Sequence, residues 1–272
     1  MQAFSRFEAS ATSSWATSPV AFALWQQAQA GEALKDEAET RIWSVPGAEA
    51  GATADAEAAH PPLFLKEYRI LPHRRWMASW VRSRSGREWR GLEAMRHAEL
   101  PVAPPCFYAE LRRGPWLHSS LLATASLGEV LPLPQFLAQA NETSAHEHCQ
   151  ALGRLVRQLH DAGFGHFRLQ AKNIMVRAEG QTPESRLALI DAPYSCQWTS
   201  GALPERIRRL DLVDLCGAHA VFTAEQTEAL LQAYDLPSAV LSGFIPRKRG
   251  RYAQKFRRIA YYLLAIWSGH RP

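Results

Sequence analysis

The chain has 272 residues, of which 47% are hydrophobic and 21% charged, and a net charge of +5. This is the make-up of a globular protein with a sizeable core, in one two-lobed domain or two small ones. Four scattered cysteines without a CxxC pair argue against structural zinc or a disulfide framework, and no apolar run reaches the ~20 residues that span a bilayer.

The charge is unevenly spread. Residues 31–60 carry seven acids against Lys35 and Arg41, whereas residues 246–272 carry eight bases and no acid. The basic end suits an anionic partner such as phospholipid, a phosphorylated glycan or nucleic acid, and a solvated helix face is the plainer reading. With no convincing signal peptide, the expected location is cytoplasmic, with possible peripheral contact to a membrane through the C-terminal segment.

In chain order, residues 1–30 read as a loose arm with a short helix at "AFALWQQAQA". "TRIWSV" (40–45) and "PLFLKEYRI" (62–70) read as strands, and the Ala/Gly/Glu-rich stretch between them (46–61) as a flexible loop. Residues 83–98 have helical spacing, with Trp89, Leu92 and Met95 on one face. Strands are expected after "LPVAPP" and at 119–125, then a helix at "PQFLAQA". A longer helix over 143–162 buries Leu152, Leu155, Val156 and Leu159. "NIMV" and "LALIDA" form a hairpin, and everything after residue 205 reads as helix, ending in a basic helix near 251–267. The class is α+β, with a β-rich lobe at 31–122 and a larger helical lobe at 126–272.

Several residues carry chemistry. Lys66 is centred in the apolar strand "FLKEY", where an unpaired ammonium is costly, and Glu88 on the next helix is its natural partner, with Glu93 the alternate. Asn173 precedes one strand and Asp191 ends another, a pair of oxygen donors suited to magnesium. Each is also an ordinary turn former or cap. "HEH" at 146–148 is a poor metal site, because residues i and i+2 of a helix point different ways. Arginines interleaved with Trp76, Trp80 and Trp89 suit nucleic acid superficially, but a structural role, or contact with anionic glycan or lipid phosphate, is preferred.

Together, "FLKEYR", "REWRGLEAM", "LPVAPP" and "LHDAGFGHFRLQAKNIMV…LALIDA" resemble the lipopolysaccharide kinase (Kdo/WaaP) family, compact relatives of protein kinases, over about residues 31–235. The resemblance implies a protein-kinase-like two-lobed fold, ATP and Mg²⁺ as cofactors, and a sugar hydroxyl of the lipopolysaccharide inner core as acceptor. It also implies a setting at the cytoplasmic face of a Gram-negative inner membrane. By position it assigns Lys66 to the nucleotide phosphates, Glu88 to that lysine, His166 to the catalytic loop, and Asn173 and Asp191 to the metal. Asp211 falls on a structural helix position.

The departures are specific. The family's "HxDL" reads "HFRL", so the aspartate that receives the hydroxyl proton is replaced by Arg168, and Asp161 is too far upstream to stand in. Arginine stays protonated and cannot act as that base. It also puts a cation where it could pair with Asp191 and displace magnesium. The turn "KDEAE" lacks phosphate-cradling glycines and has three carboxylates that would repel a triphosphate. The expectation is a catalytically impaired relative that acts in envelope biogenesis, on core glycolipid or with a protein partner. An active sugar kinase in which Arg168 contacts the γ-phosphate is the alternative, and a nucleic-acid binder the third class.

Overall fold

The computed structural model describes residues 6–11, 18–47, 60–80, 82–198, 202–217, 221–236 and 263. The Ala/Gly-rich stretch 48–59 and the basic C-terminal helix expected near 251–267 lie outside the described residues, Leu263 aside. The chain divides into two compact units: residues 1–93 with 103–126, and residues 94–102 with 127–272.

The first unit is an antiparallel six-stranded sheet. Its strands are β1 (Arg6–Ala11), β2 (Lys35–Asp36), β3 (Thr40–Val45), β4 (Leu63–Arg69), β5 (Pro105–Arg113) and β6 (Trp116–Ala125), in the order β1-β5-β6-β4-β3-β2. The arm expected over residues 1–30 supplies β1, paired with β5, and a helix α1 (Ser18–Ala30) longer than expected. Strand alternation explains the core. Leu63 and Leu65 point to the face covered by Ala21, Leu24 and Ala28 of α1, with Trp43, Val45, Phe107, Leu111 and Leu121 beside them. Lys66 and Tyr68 occupy the opposite face. Glu67 lies on the α1 side, and burial pushes its carboxyl up while Ser119 and Gln29 hydrogen-bond to it. A one-turn helix at Pro72–Arg74 leads into α2 (Arg75–Trp80), which has too few turns for a periodic signal. Helix α3 (Arg84–His97) follows, burying Leu92 and Met95 as its spacing predicts.

The second unit contains β7 (Val130–Pro132), α4 (Leu133–Gln139) and α5 (Glu142–Asp161). Asn141 caps α5 by accepting a hydrogen bond from the Ser144 amide, and the predicted stripe Leu152, Leu155, Val156 and Leu159 is buried. Then come β8 (Phe164–Gly165), β9 (Ile174–Arg177), the single turn α6 (Pro183–Arg186), β10 (Leu187–Leu189) and β11 (Cys196–Gln197). β10, β9 and β7 form one sheet, and β11 and β8 a two-stranded ribbon. Helices α7 (Glu205–Gly217) and α8 (Ala224–Ala233) complete the described part. Gly153 lets α8 close on α5, since a Cβ there would lie 2.1 Å from the Leu230 carbonyl oxygen. The expected strand 187–192 is shorter than its apolar run, because Asp191 turns the backbone to φ +61°.

Candidate functional site

In the first unit the structure brings Lys66 and Glu88 together. Lys66 sits in β4 between Ile42 of β3 and Leu122 of β6. Its ammonium donates to a Glu88 carboxylate oxygen at 3.1 Å, and the glutamate is 3% exposed. Glu88, rather than the alternate Glu93, takes this lysine. Tyr68, two residues along the strand on the same face, donates its hydroxyl to the second oxygen of Glu88. Its ring carries the Arg84 guanidinium at 4.2 Å from its centre. The carboxylate is thus gripped from two sides, which offsets the cost of burying it. Neither Tyr68 nor Arg84 was expected here. The signal available was strand period two, which places residues 66 and 68 on one face.

The acidic turn behaves differently from its sequence expectation. Each carboxylate has a cation: Glu37 pairs with Lys35 at 3.0 Å, Asp36 with Arg41 at 2.8 Å and Arg69 at 2.7 Å, and Glu39 with Arg74 at 3.2 Å. Most of the repulsion expected toward an anion is therefore cancelled locally.

In the second unit, α5 ends in a turn at Gly163 (φ +84°), where a Cβ would lie 2.6 Å from the Trp198 carbonyl oxygen. The loop beyond it is held by Asp211, buried in α7. One carboxylate oxygen accepts from the His166 amide and the other from the Phe167 amide, each at 2.7 Å. That double grip fixes Phe167 in the left-handed region at φ +59°, a conformation costly for a bulky residue. Asp211 also lies 3.3 Å from Nε2 of buried His160, whose Nδ1 is 2.7 Å from the Tyr234 hydroxyl. The family resemblance placed Asp211 on a structural helix position. The amides it holds, and the His160–Tyr234 extension, carried no local signal.

His166 is fully buried, its ring nitrogens find no hydrogen-bond partner, and burial holds its imidazole below the usual range. Its ring is enclosed, and burial favours the neutral form. Arg168 follows, with Nη1 4.0 Å from an Asp191 carboxylate oxygen. The Asn173 side-chain amide donates to the Arg168 carbonyl at 3.3 Å, and the Ile190 amide to the Asn173 carbonyl at 2.9 Å. So Arg168, Asn173 and Asp191 meet at neighbouring strand ends.

Chemically, Lys66 fits a phosphate oxygen. Asn173 and Asp191 are hard oxygen donors of the type magnesium takes, but Arg168 contests the carboxylate. Among the described residues no cluster of three or more His, Cys, Asp or Glu side chains could hold a metal, which includes the "HEH" stretch.

Residues 51–234 match the family model described as "Lipopolysaccharide kinase (Kdo/WaaP) family". Among solved structures the chain is similar to "WaaP in complex with acyl carrier protein", with a TM-score of 0.54 and 17% identity over 88% of this chain and 92% of that one. At that identity the likeness shows the fold, an α+β arrangement with a β-sheet region followed by a helical region. Among curated proteins none matches.

Proposed function

The chain belongs to the lipopolysaccharide kinase (Kdo/WaaP) family, and from that premise we propose that it is a catalytically impaired member. In this reading Lys66 and Glu88 keep a nucleotide-phosphate site while transfer to a sugar hydroxyl of the lipopolysaccharide core is lost or strongly reduced. One observation carries it: Arg168, at the position of the proton-accepting aspartate, stands 4.0 Å from Asp191. A guanidinium removes the base and supplies Asp191 with a counter-ion in place of magnesium. The family's cofactors are ATP and Mg²⁺. Here Lys66 would take the nucleotide, and Asn173 and Asp191 would take the metal only if Arg168 moved aside.

The role that remains is binding, to core glycolipid or to a protein of envelope biogenesis at the cytoplasmic face of the inner membrane. The similar WaaP structure holds acyl carrier protein, and a protein partner for this chain falls within the same reading. No helix among the described residues is long and apolar enough to cross a membrane.

Calorimetric titration with ATP tests the proposal, with and without Mg²⁺, alongside Lys66→Ala and Asp191→Ala. ATP binding that magnesium does not strengthen and that Lys66→Ala abolishes supports it. Magnesium-dependent binding lost in both variants, with phosphate transferred to a core acceptor, overturns the impairment.

A further inference from the structure

A second surface of the first unit, away from Lys66 in sequence, combines exposed tryptophan with cationic charge. Trp76 and Trp80 lie one helical turn apart on α2, 59% and 85% exposed, and Trp116 at the start of β6 is 46% exposed. α2 is fastened to that hairpin. The Leu117 amide donates to the Ser79 hydroxyl at 2.8 Å, which in turn donates to the Arg75 carbonyl at 2.7 Å. So Trp80 follows, and Trp116 precedes, the residues that join the two elements. The hairpin tip at Gly114 (φ +58°) has open space around it.

The charge around these rings is one-sided. Residues 70–87 and 111–128 contain no aspartate or glutamate and seven arginines between them. Arg74 and Arg112 are engaged by Glu39 and Glu110, and Arg84 lies over Tyr68. Arg75 and Arg113 form no ion pair among the described residues. Both charges act on His118, whose imidazole is held below its ordinary range first by partial burial and then by these two neighbours. That places Arg75, on α2, and Arg113, on the hairpin, around one side chain.

We propose that α2 and the β5–β6 hairpin form a docking surface for an anionic phospholipid bilayer, with Trp76, Trp80 and Trp116 seated at headgroup level and Arg75 and Arg113 facing lipid phosphate. Three exposed large aromatics on two elements joined by a hydrogen bond beside them are unusual for a protein facing only water. All three are tryptophan, the side chain that partitions to the membrane interface, where its ring meets acyl chain and its N–H meets water. The excess of arginine over carboxylate on these two segments suits a uniformly anionic surface better than a protein partner of mixed charge. Contact of this kind is monotopic and needs no spanning helix. It is independent of phosphotransfer and holds whether or not the nucleotide site works.

Flotation of the full chain with vesicles tests the proposal, comparing phosphatidylcholine alone with phosphatidylcholine containing about one-third phosphatidylglycerol. The wild type should float with the anionic vesicles and lose binding as salt is raised. Trp76→Ser with Trp80→Ser should lower the partition coefficient by about tenfold or more, and Arg75→Ser or Arg113→Ser by about fivefold each. The tryptophans and Arg113 are exposed and Arg75 is half-buried, so circular dichroism should stay unchanged and the thermal midpoint should move little. No flotation of the wild type, equal flotation with both compositions, or unchanged flotation of the folded tryptophan variant would each overturn the proposal. Binding of a single-stranded oligonucleotide lost in the same variants, without vesicle binding, would reassign the surface to nucleic acid.

Discussion

The Lys66 ammonium stands 3.1 Å from one oxygen of Glu88, and Tyr68 on the same strand face holds the other. The tyrosine thus braces the carboxylate that aims the lysine. Tyr68→Phe keeps the ring under Arg84 and removes one hydrogen bond to a charged, buried acceptor, which should cost about 1.5–3 kcal/mol of stability. It should also weaken ATP binding through Lys66. Denaturant unfolding and ATP titration of the same variant check this. A stability loss with nucleotide affinity unchanged would mean that Glu88 positions itself without the tyrosine.

Asp211 gives a larger effect for a different reason. Its carboxylate is the acceptor for two consecutive buried amides, those of His166 and Phe167. Asp211→Ala should leave both without that partner, at about 1–3 kcal/mol each, for a total of roughly 2–6 kcal/mol. Asp211→Asn keeps one good acceptor and should fall between. Amide hydrogen exchange supplies the local readout, with protection at residues 166 and 167 lost before that of the α5 stripe. Uniform loss across the unit would show that Asp211 supports packing generally rather than this loop.

How far sequence reached depended on the range of each interaction. The Lys66–Glu88 pair was legible because strand alternation and the cost of a buried ammonium are local arguments. The stripe of α5 was legible because one amphipathic helix carries its whole period. β1 was missed because its partner is β5, about a hundred residues away, and nothing local announces that pairing. α2 was absorbed into the approach to α3 because six residues show no period. The strand at "LALIDA" was drawn too long, since apolar content does not reveal the positive φ at Asp191. Tyr68 and His160 carry roles in contacts with residues 20 and 51 positions away, which only the fold discloses.

The enclosed imidazole of His166 has a consequence for pH. Burial holds its folded-state value below the ordinary range, so as pH falls through about 6.5 the unfolded chain takes up a proton before the native one does. Its contribution to stability is therefore present above that pH and is lost as pH falls toward the folded-state value. His148, also lowered mainly by burial, acts in the same direction. His166→Phe removes one such proton, so the fall in melting temperature between pH 7.5 and pH 5.5 should become smaller than in the wild type. An identical fall in both proteins would mean that His166 is not buried in its neutral form.

Arg168 offers the most direct trial of the proposed impairment. Arg168→Asp removes the cation 4.0 Å from Asp191 and places a carboxylate five residues before Asn173. If the proton acceptor and the metal counter-charge are the two missing parts, the variant should bind ATP more tightly with magnesium than without. Phosphotransfer to a lipopolysaccharide core acceptor should then rise by about 10²–10⁴. Arg168→Ala separates the contributions, because it releases Asp191 without supplying a base; magnesium dependence should return there with little gain in transfer. Should neither variant acquire magnesium dependence, the defect would lie elsewhere than at Arg168. The glycine-free turn between β2 and β3 would then be the next segment to alter.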